Sequence, residues 1–221
     1  MKILTLCFLW LVALPSLAQH TFVRFSTAKG DIVVMLYDGT PVHRDHFIRA
    51  VKDGTFSQAL FNRVIKGFVS QAGRLDEEIE AAEKQHPEIP PVRIPAEINS
   101  QYFHKKGALG AGRNDNPEKS SFEDQIYLVQ GKIQTDAMLD ALEAKTGRKF
   151  PETQRAVYKT LGGIPRLDQD YTVFGEIVQG MDVAEAINAA ATDLRDKPLE
   201  PVTLQLSLFD FTDQGKGLLV Q

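Results

Sequence analysis

The chain has 221 residues, a formal net charge of −4 and a hydrophobic content of 43%. This length suits one domain with a full hydrophobic core. The mild acidity provides no electrostatic footprint for a nucleic-acid partner. The single cysteine, Cys7, excludes an intramolecular disulfide.

The first eighteen residues are typical of a secretory signal peptide. Lys2 precedes an apolar run over residues 3–14, and residues 16–18 read Ser-Leu-Ala, the small-residue pattern of a cleavage site. A membrane-spanning helix needs about twenty apolar residues, more than this run provides. We therefore predict a signal peptide at 1–18 and an exported protein, periplasmic or secreted, with no stable membrane insertion after cleavage.

The next elements read as a β-hairpin followed by a helix. Residues 22–27 and 31–37 alternate or run apolar, which predicts two paired strands. Thr40 then fits a helix N-cap, Pro41 fits the first helical position and Gly54 fits the residue just past the end.

Two histidines on this helix are the first candidates for metal ligation. His43 and His46 lie three residues apart and could present two ligands. No carboxylate or further histidine with recognisable ligand spacing accompanies them. We therefore expect solvent-exposed histidines and no metal site.

Two short β-runs follow, residues 60–65 and 68–71, joined by a Lys-Gly turn. They carry Arg63 and Gln71 where a buried strand would be apolar. A guanidinium is costly to bury unless its donors find partners, and a glutamine one strand over can accept from it. From the spacing alone, a structural pair in a barrel wall and a functional pair remain equally open.

Three later segments favour helices. Residues 76–83 are rich in glutamate and favour a short acidic helix, either a solvated loop or a flank of a substrate groove. Residues 136–145 and 151–161 are amphipathic and predict a helical pair, with Thr135 as the first N-cap and Gly147 as its stop.

Short strands dominate the rest of the chain. Residues 125–129 and 171–174 predict strands, and a helix is predicted from residue 181 to about 190. Residues 202–208 alternate apolar and polar side chains, as a half-buried strand does. About eight short strands with few helices favour a mainly β protein built as a closed antiparallel barrel.

Residues 61–73 read Phe-x-Arg-Val-Ile-x-x-Phe-x-x-Gln-x-Gly, which resembles the central signature of the cyclophilin family of peptidyl-prolyl cis–trans isomerases. Four further blocks resemble the family in the same order, at residues 94–97, 104–109, 125–127 and 167–175. The resemblance implies a closed eight-stranded antiparallel β-barrel capped by helices.

The resemblance also implies a domain organisation. The cyclophilin-like domain extends over residues 20–211, and residues 212–221 form a C-terminal tail. Two segments depart from the family pattern and are interpreted as insertions, an acidic one over residues 74–91 and a helical one over residues 132–163.

By resemblance, the chain isomerises Xaa-Pro bonds without a cofactor and assists the folding of exported proteins. Arg63 is the implied donor to the prolyl amide, and Gln71 is the implied residue that orients it. The other implied site residues bind substrate and are Phe68, Val69, Ala111, Gly112, Gln125, Tyr127, Arg166, Leu167 and Tyr171. The implied partners are proline-containing unfolded or extended polypeptides, bound by a monomer.

Three substitutions at these positions weaken what the resemblance implies. Val69 replaces a usual methionine, Tyr171 stands where a histidine packs under the pocket, and Arg166 replaces the rim tryptophan. The retained arginine–glutamine pair favours an enzyme. The departures and insertions favour the alternative, a proline-segment-binding chaperone or scaffold module with little turnover. A third reading, a barrel that encloses a small apolar ligand, is disfavoured because side chains fill barrels of this size.

Overall fold

The computed structural model describes residues 20–210, so the predicted signal peptide at 1–18 and the tail at 212–221 lie outside the described residues. The described chain is mainly β, as predicted. Its eight strands are β1 Phe22–Thr27, β2 Gly30–Leu36, β3 Phe61–Val64, β4 Val69–Gly73, β5 Ala108–Ala111, β6 Gln125–Val129, β7 Val173–Gln179 and β8 Gln205–Phe209. They form one antiparallel sheet of order β3-β4-β6-β5-β7-β2-β1-β8.

Within residues 20–210 there are five α-helices and one 3-10 helix, which spans Pro165–Leu167. The α-helices are α1 Pro41–Lys52, α2 Asp76–Gln85, α3 Asp136–Thr146, α4 Glu152–Thr160 and α5 Met181–Asn188. The acidic helix and the helical pair expected from the sequence are therefore present, whereas their status as insertions stays a prediction. Across this same range, every helix is too short or too polar to cross a bilayer.

The predicted closed barrel is wrong, because the sheet is open between β3 and β8. β8 pairs with β1, whereas β3 contacts only the segment that precedes β8. Two hydrogen bonds connect them, from the Phe61 amide to the Val202 carbonyl and from the Leu204 amide to the Ala59 carbonyl, both at 2.9 Å. Farther along β3 the Val64 amide donates to the Asp196 carbonyl at 2.7 Å instead of to β8, so the ladder stays short.

The main hydrophobic core lies between the sheet and helices α1 and α5. Phe47 of α1 packs edge-on against Phe174 of β7, with ring centroids 5.5 Å apart. Ile187 of α5 is fully buried on the same core. Burial of these side chains holds α1 and α5 against one face of the sheet.

The expectation that the α1 histidines are solvent-exposed is wrong. His43 is buried, and its Nδ1 lies 2.7 Å from the Glu97 carboxylate while its Nε2 lies 3.1 Å from the Ser121 hydroxyl. Burial holds the pKa of His43 below its usual value. His46 is half-buried against the Glu123 carbonyl. No cluster of three potential ligands that could hold a metal occurs among residues 20–210.

Helices α3 and α4 pack on each other around a small core of their own, in which Leu139 and Tyr158 are fully buried. The predicted caps are confirmed. The Thr135 hydroxyl accepts a hydrogen bond from the Met138 amide at 3.2 Å. Gly147 ends α3 at a φ of 71°, a left-handed conformation that glycine adopts without strain.

We expect Leu139→Ala to lower the free energy of unfolding by about 2–5 kcal/mol, because it leaves a cavity between α3 and α4. Met138→Ala, next in sequence but 49% exposed, is the matched control and should cost less than about 1 kcal/mol. Urea unfolding of both variants measures the difference. Equal midpoints for the two variants would contradict this packing.

Candidate functional site

A cleft of about 170 Å³ lies between β3, β4, β6 and the 3-10 helix. Ten of the eleven site residues expected from the sequence line it, namely Arg63, Phe68, Val69, Gln71, Gly112, Gln125, Tyr127, Arg166, Leu167 and Tyr171. The eleventh, Ala111, is buried in β5 and does not line the cleft. Asp76 and Arg113 also line it, although the sequence analysis assigned neither.

Arg63 and Gln71 form the pair that their positions on neighbouring strands suggested. They face each other in the β3–β4 ladder, and Arg63 Nη1 donates to Gln71 Oε1 at 3.3 Å. Asp196 lies 3.8 Å from Arg63 Nε, beyond hydrogen-bond distance. Within the described chain the Arg63 guanidinium makes one hydrogen bond and one long ion pair with Asp196, so four of its five donors make no hydrogen bond there.

Asp76 fixes the orientation of two cleft amides. Its Oδ1 accepts hydrogen bonds from Gln125 Nε2 at 2.6 Å and from Gln71 Nε2 at 3.5 Å. Because the amide nitrogen of Gln71 points to this carboxylate, its carbonyl oxygen is turned toward Arg63. Its place at the start of the acidic helix α2 does not by itself indicate this role.

The cleft wall is largely apolar and aromatic. The side chains of Val69, Tyr127 and Leu167 are buried in one cluster, with Phe68 and Tyr171 packed against it. The rings of Tyr127 and Tyr171 meet edge-on, with centroids 6.2 Å apart and planes at 84°. This arrangement gives the cleft a rigid apolar wall beside the Arg63 donors.

A buried hydrogen-bond network supports Tyr127 from behind. The Tyr127 hydroxyl lies 2.8 Å from His104 Nε2, and His104 Nδ1 lies 2.8 Å from Asp168 Oδ1. The Tyr158 hydroxyl of α4 donates to Asp168 Oδ2 at 2.6 Å. Burial raises the pKa of both tyrosines, so each keeps its proton and acts as a donor. The network ties α4 to the cleft wall.

Two arginines that line the cleft stack on aromatic rings of its wall. The Arg166 guanidinium carbon lies 4.4 Å from the Phe68 ring centroid, and that of Arg113 lies 4.6 Å from the Tyr171 centroid. Arg113 Nε also donates to the Asp170 carbonyl at 2.6 Å, which holds its plane in place. Both guanidinium groups therefore form cation–π interactions with aromatic faces.

The backbone edge expected at Ala111 and Gly112 is mostly occupied. The Ala111 amide donates to the Thr172 carbonyl at 3.0 Å, and the Gly112 amide donates to the Gln125 carbonyl at 2.9 Å. The Gly112 carbonyl accepts from the Phe122 amide, which leaves one lone pair. A Cβ at Gly112 would lie 1.8 Å from Gln125 Oε1, so only glycine lets that amide cross the backbone here.

We expect Tyr127→Phe to lower the free energy of unfolding by about 1–3 kcal/mol, because His104 Nε2 would be left buried without a partner. Tyr171→Phe is the matched control, since the Tyr171 hydroxyl makes no hydrogen bond within residues 20–210. Chemical denaturation of the two variants gives the comparison. If Tyr127→Phe proves as stable as the control, the network does not support the cleft.

Comparisons with known proteins agree with this fold. A family model described as "Cyclophilin type peptidyl-prolyl cis-trans isomerase/CLD" matches residues 22–206. A Staphylococcus saprophyticus protein named "Putative peptidyl-prolyl cis-trans isomerase" is 31% identical over 179 residues, covering 80% of this chain and 86% of the relative. A Staphylococcus aureus protein of the same name is 30% identical over 184 residues, covering 83% and 88%.

Solved structures share the architecture. The crystal structure of a Cryptosporidium parvum cyclophilin type peptidyl-prolyl cis-trans isomerase superposes with a TM-score of 0.61 at 15% identity, over 87% of this chain and 99% of the other. The same protein in the presence of the dipeptide Ala-Pro superposes with a TM-score of 0.60 at 16% identity, over 86% and 99%. With a family model that covers most of its length, the chain belongs to the cyclophilin-type peptidyl-prolyl cis–trans isomerase family.

Proposed function

We propose that this protein catalyses the cis–trans isomerisation of Xaa-Pro bonds in unfolded or extended polypeptides. The observation that carries the proposal is the Arg63–Gln71 pair, which presents unused guanidinium donors beside an apolar aromatic wall. The family membership and the solved relative studied with Ala-Pro support the same substrate chemistry.

The reaction needs an electrostatic donor and a place for the proline ring. Rotation about the prolyl C–N bond breaks amide resonance, which accounts for a barrier of about 18–20 kcal/mol. In the twisted amide the nitrogen becomes pyramidal and gains a lone pair that the planar amide lacks. A donor aimed at this nitrogen therefore binds the transition state more tightly than the substrate, which lowers the barrier.

The residues of the cleft supply both requirements. Arg63 donates to the prolyl nitrogen, and Gln71, itself oriented by Asp76, limits the rotation of the guanidinium. Tyr127 and Leu167 hold the proline ring by apolar contact. No covalent bond forms in this reaction and no proton moves permanently, so the chemistry requires neither a cofactor nor a metal ion.

The cellular role follows from the leader-like N-terminus. Residues 1–18 have the composition of a signal peptide, so we propose that the monomeric protein acts on exported polypeptides in the periplasm or outside the cell. Uncatalysed prolyl isomerisation takes tens to hundreds of seconds, slow enough to limit folding there.

The alternative is a proline-segment-binding chaperone or scaffold module with little turnover. One observation favours it, since the Arg166 guanidinium stacks on Phe68 and lines the cleft at the position where the family resemblance implies a tryptophan. A module of this kind would bind proline segments without accelerating their exchange between cis and trans.

We expect Arg63→Ala to lower kcat/KM for an Ala-Pro peptide by at least about 100-fold, the usual loss when one preorganised donor is removed. Gln71→Ala should cost about tenfold, since it removes only the group that positions the donor. Arg49→Ala, at an exposed arginine of α1 that does not line the cleft, is the matched control. Exchange NMR on the peptide measures all three.

A folded Arg63→Ala protein with near wild-type turnover would overturn the assigned mechanism. Equal peptide affinity in wild type and Arg63→Ala, with no exchange enhancement in either, would instead support the binding module.

A further inference from the structure

A second groove, of about 660 Å³, adjoins the cleft in which we place the prolyl bond. Helix α3 forms one side, and the turns at residues 65–68 and 163–166 form the other. It shares Phe68 and Arg166 with the cleft, so the two are continuous. We call it the basic groove and define it by its cations, Lys66, Lys132, Lys145 and Arg166, and by two apolar residues, the exposed Met138 and the half-buried Leu142.

The basic groove carries positive charge without compensation, although the whole chain has a formal charge of −4. Its four cations are exposed, and none pairs with an acidic group within residues 20–210. No aspartate or glutamate of the described chain lines it. Cations without local partners favour an anionic ligand.

The acidic residues of helix α3 lie on a different face of the helix from the one that lines the basic groove. Its acidic residues Asp136, Asp140 and Glu143 face α4, where Arg155 contacts them at 2.9, 2.8 and 3.3 Å. These acids are therefore neutralised away from the groove. Consequently the α3 acids do not cancel the field that the groove cations set up.

The opposite face of α3 forms the groove. Met138, Ala141, Leu142 and Lys145 recur at the i, i+3, i+4 and i+7 spacing of one helical stripe, and all four line it. Met138 is 49% exposed although its side chain is apolar. The stripe thus combines apolar surface with a free ammonium group.

This mixture fits a polypeptide better than a nucleic acid. An apolar stripe buries leucine-like side chains, whereas single-stranded nucleic acid requires aromatic platforms on which its bases stack. The one aromatic ring in the groove, Phe68, is already covered by Arg166. An acidic and apolar peptide segment satisfies both the free cations and the exposed methionine.

We propose that the basic groove binds the segment that flanks the prolyl bond in the same substrate chain, and selects segments rich in acidic and apolar residues. This inference rests on the proposed function, because it places the prolyl bond in the adjoining cleft. An extended chain advances about 3.3–3.6 Å per residue. Residues a few positions from the proline would therefore lie along α3.

The test compares five fluorescent peptides with one Ala-Pro core. One is the bare core, and the other four carry a Glu-Leu or a Lys-Leu extension placed either before or after the proline. Fluorescence anisotropy at low and high salt gives the dissociation constants. We expect the acidic extension to bind about fivefold more tightly than the basic one at low salt, consistent with a few exposed ion pairs. The preference should shrink at high salt.

The double variant Lys132→Glu, Lys145→Glu should lose or invert this preference. The double variant Lys29→Glu, Lys52→Glu, which makes the same charge change at exposed lysines outside the groove, should keep it. Far-UV circular dichroism confirms that both variants are folded. The inference is overturned if wild type binds both extensions equally at low salt, if the two double variants behave alike, or if a single-stranded oligonucleotide binds more tightly than the acidic peptide.

Turnover of the unextended core by wild type separates this inference from the proposed function. Loss of the charge preference in a protein that still isomerises the core would refute the groove alone. A protein that keeps the preference but never accelerates exchange would refute the proposed function alone, and the groove would then serve a binding module.

Discussion

The buried carboxylate of Asp168 constrains the site more than any other group. A buried anion is costly unless its oxygens are fully paired. Asp168 accepts from the Tyr158 hydroxyl, from the His104 ring and from the His104 amide. Helix α4, the segment before β5 and the residues after the 3-10 helix must therefore come together. Because His104 also contacts Tyr127, this constraint positions the apolar wall of the cleft.

The helical pair gains a second role from the same arrangement. Tyr158 of α4 completes the buried network, and Arg155 of α4 forms ion pairs with the acidic residues of α3. What remains on the other face of α3 is an apolar stripe that ends in Lys145. The cleft has Asp76 among its lining residues, whereas the adjoining groove is lined by cations. A substrate that occupies both would be selected by the charge of its flanking segment as well as by its proline.

The sequence predicts contacts between neighbours in the chain and misses those that bridge distant segments. Arg63 and Gln71 could be predicted because one tight turn places their strands side by side. Asp76 could not, since nothing in its spacing shows that two amides converge on it. His43 was expected at the surface because its partner Glu97 lies 54 residues away. The closed barrel failed for a similar reason, because the β3 amides of Phe61 and Val64 donate to the Val202 and Asp196 carbonyls, which lie far away in the chain and outside β8.

The central claim is that the cleft accelerates rotation about a prolyl bond rather than only binding it. Two-dimensional exchange NMR of an Ala-Pro peptide with a small molar fraction of the wild-type protein tests it most directly. The account predicts cis–trans cross-peaks at mixing times below a second, against about tens to hundreds of seconds without catalysis. Peptide resonances that shift on binding while cross-peaks stay absent would contradict it.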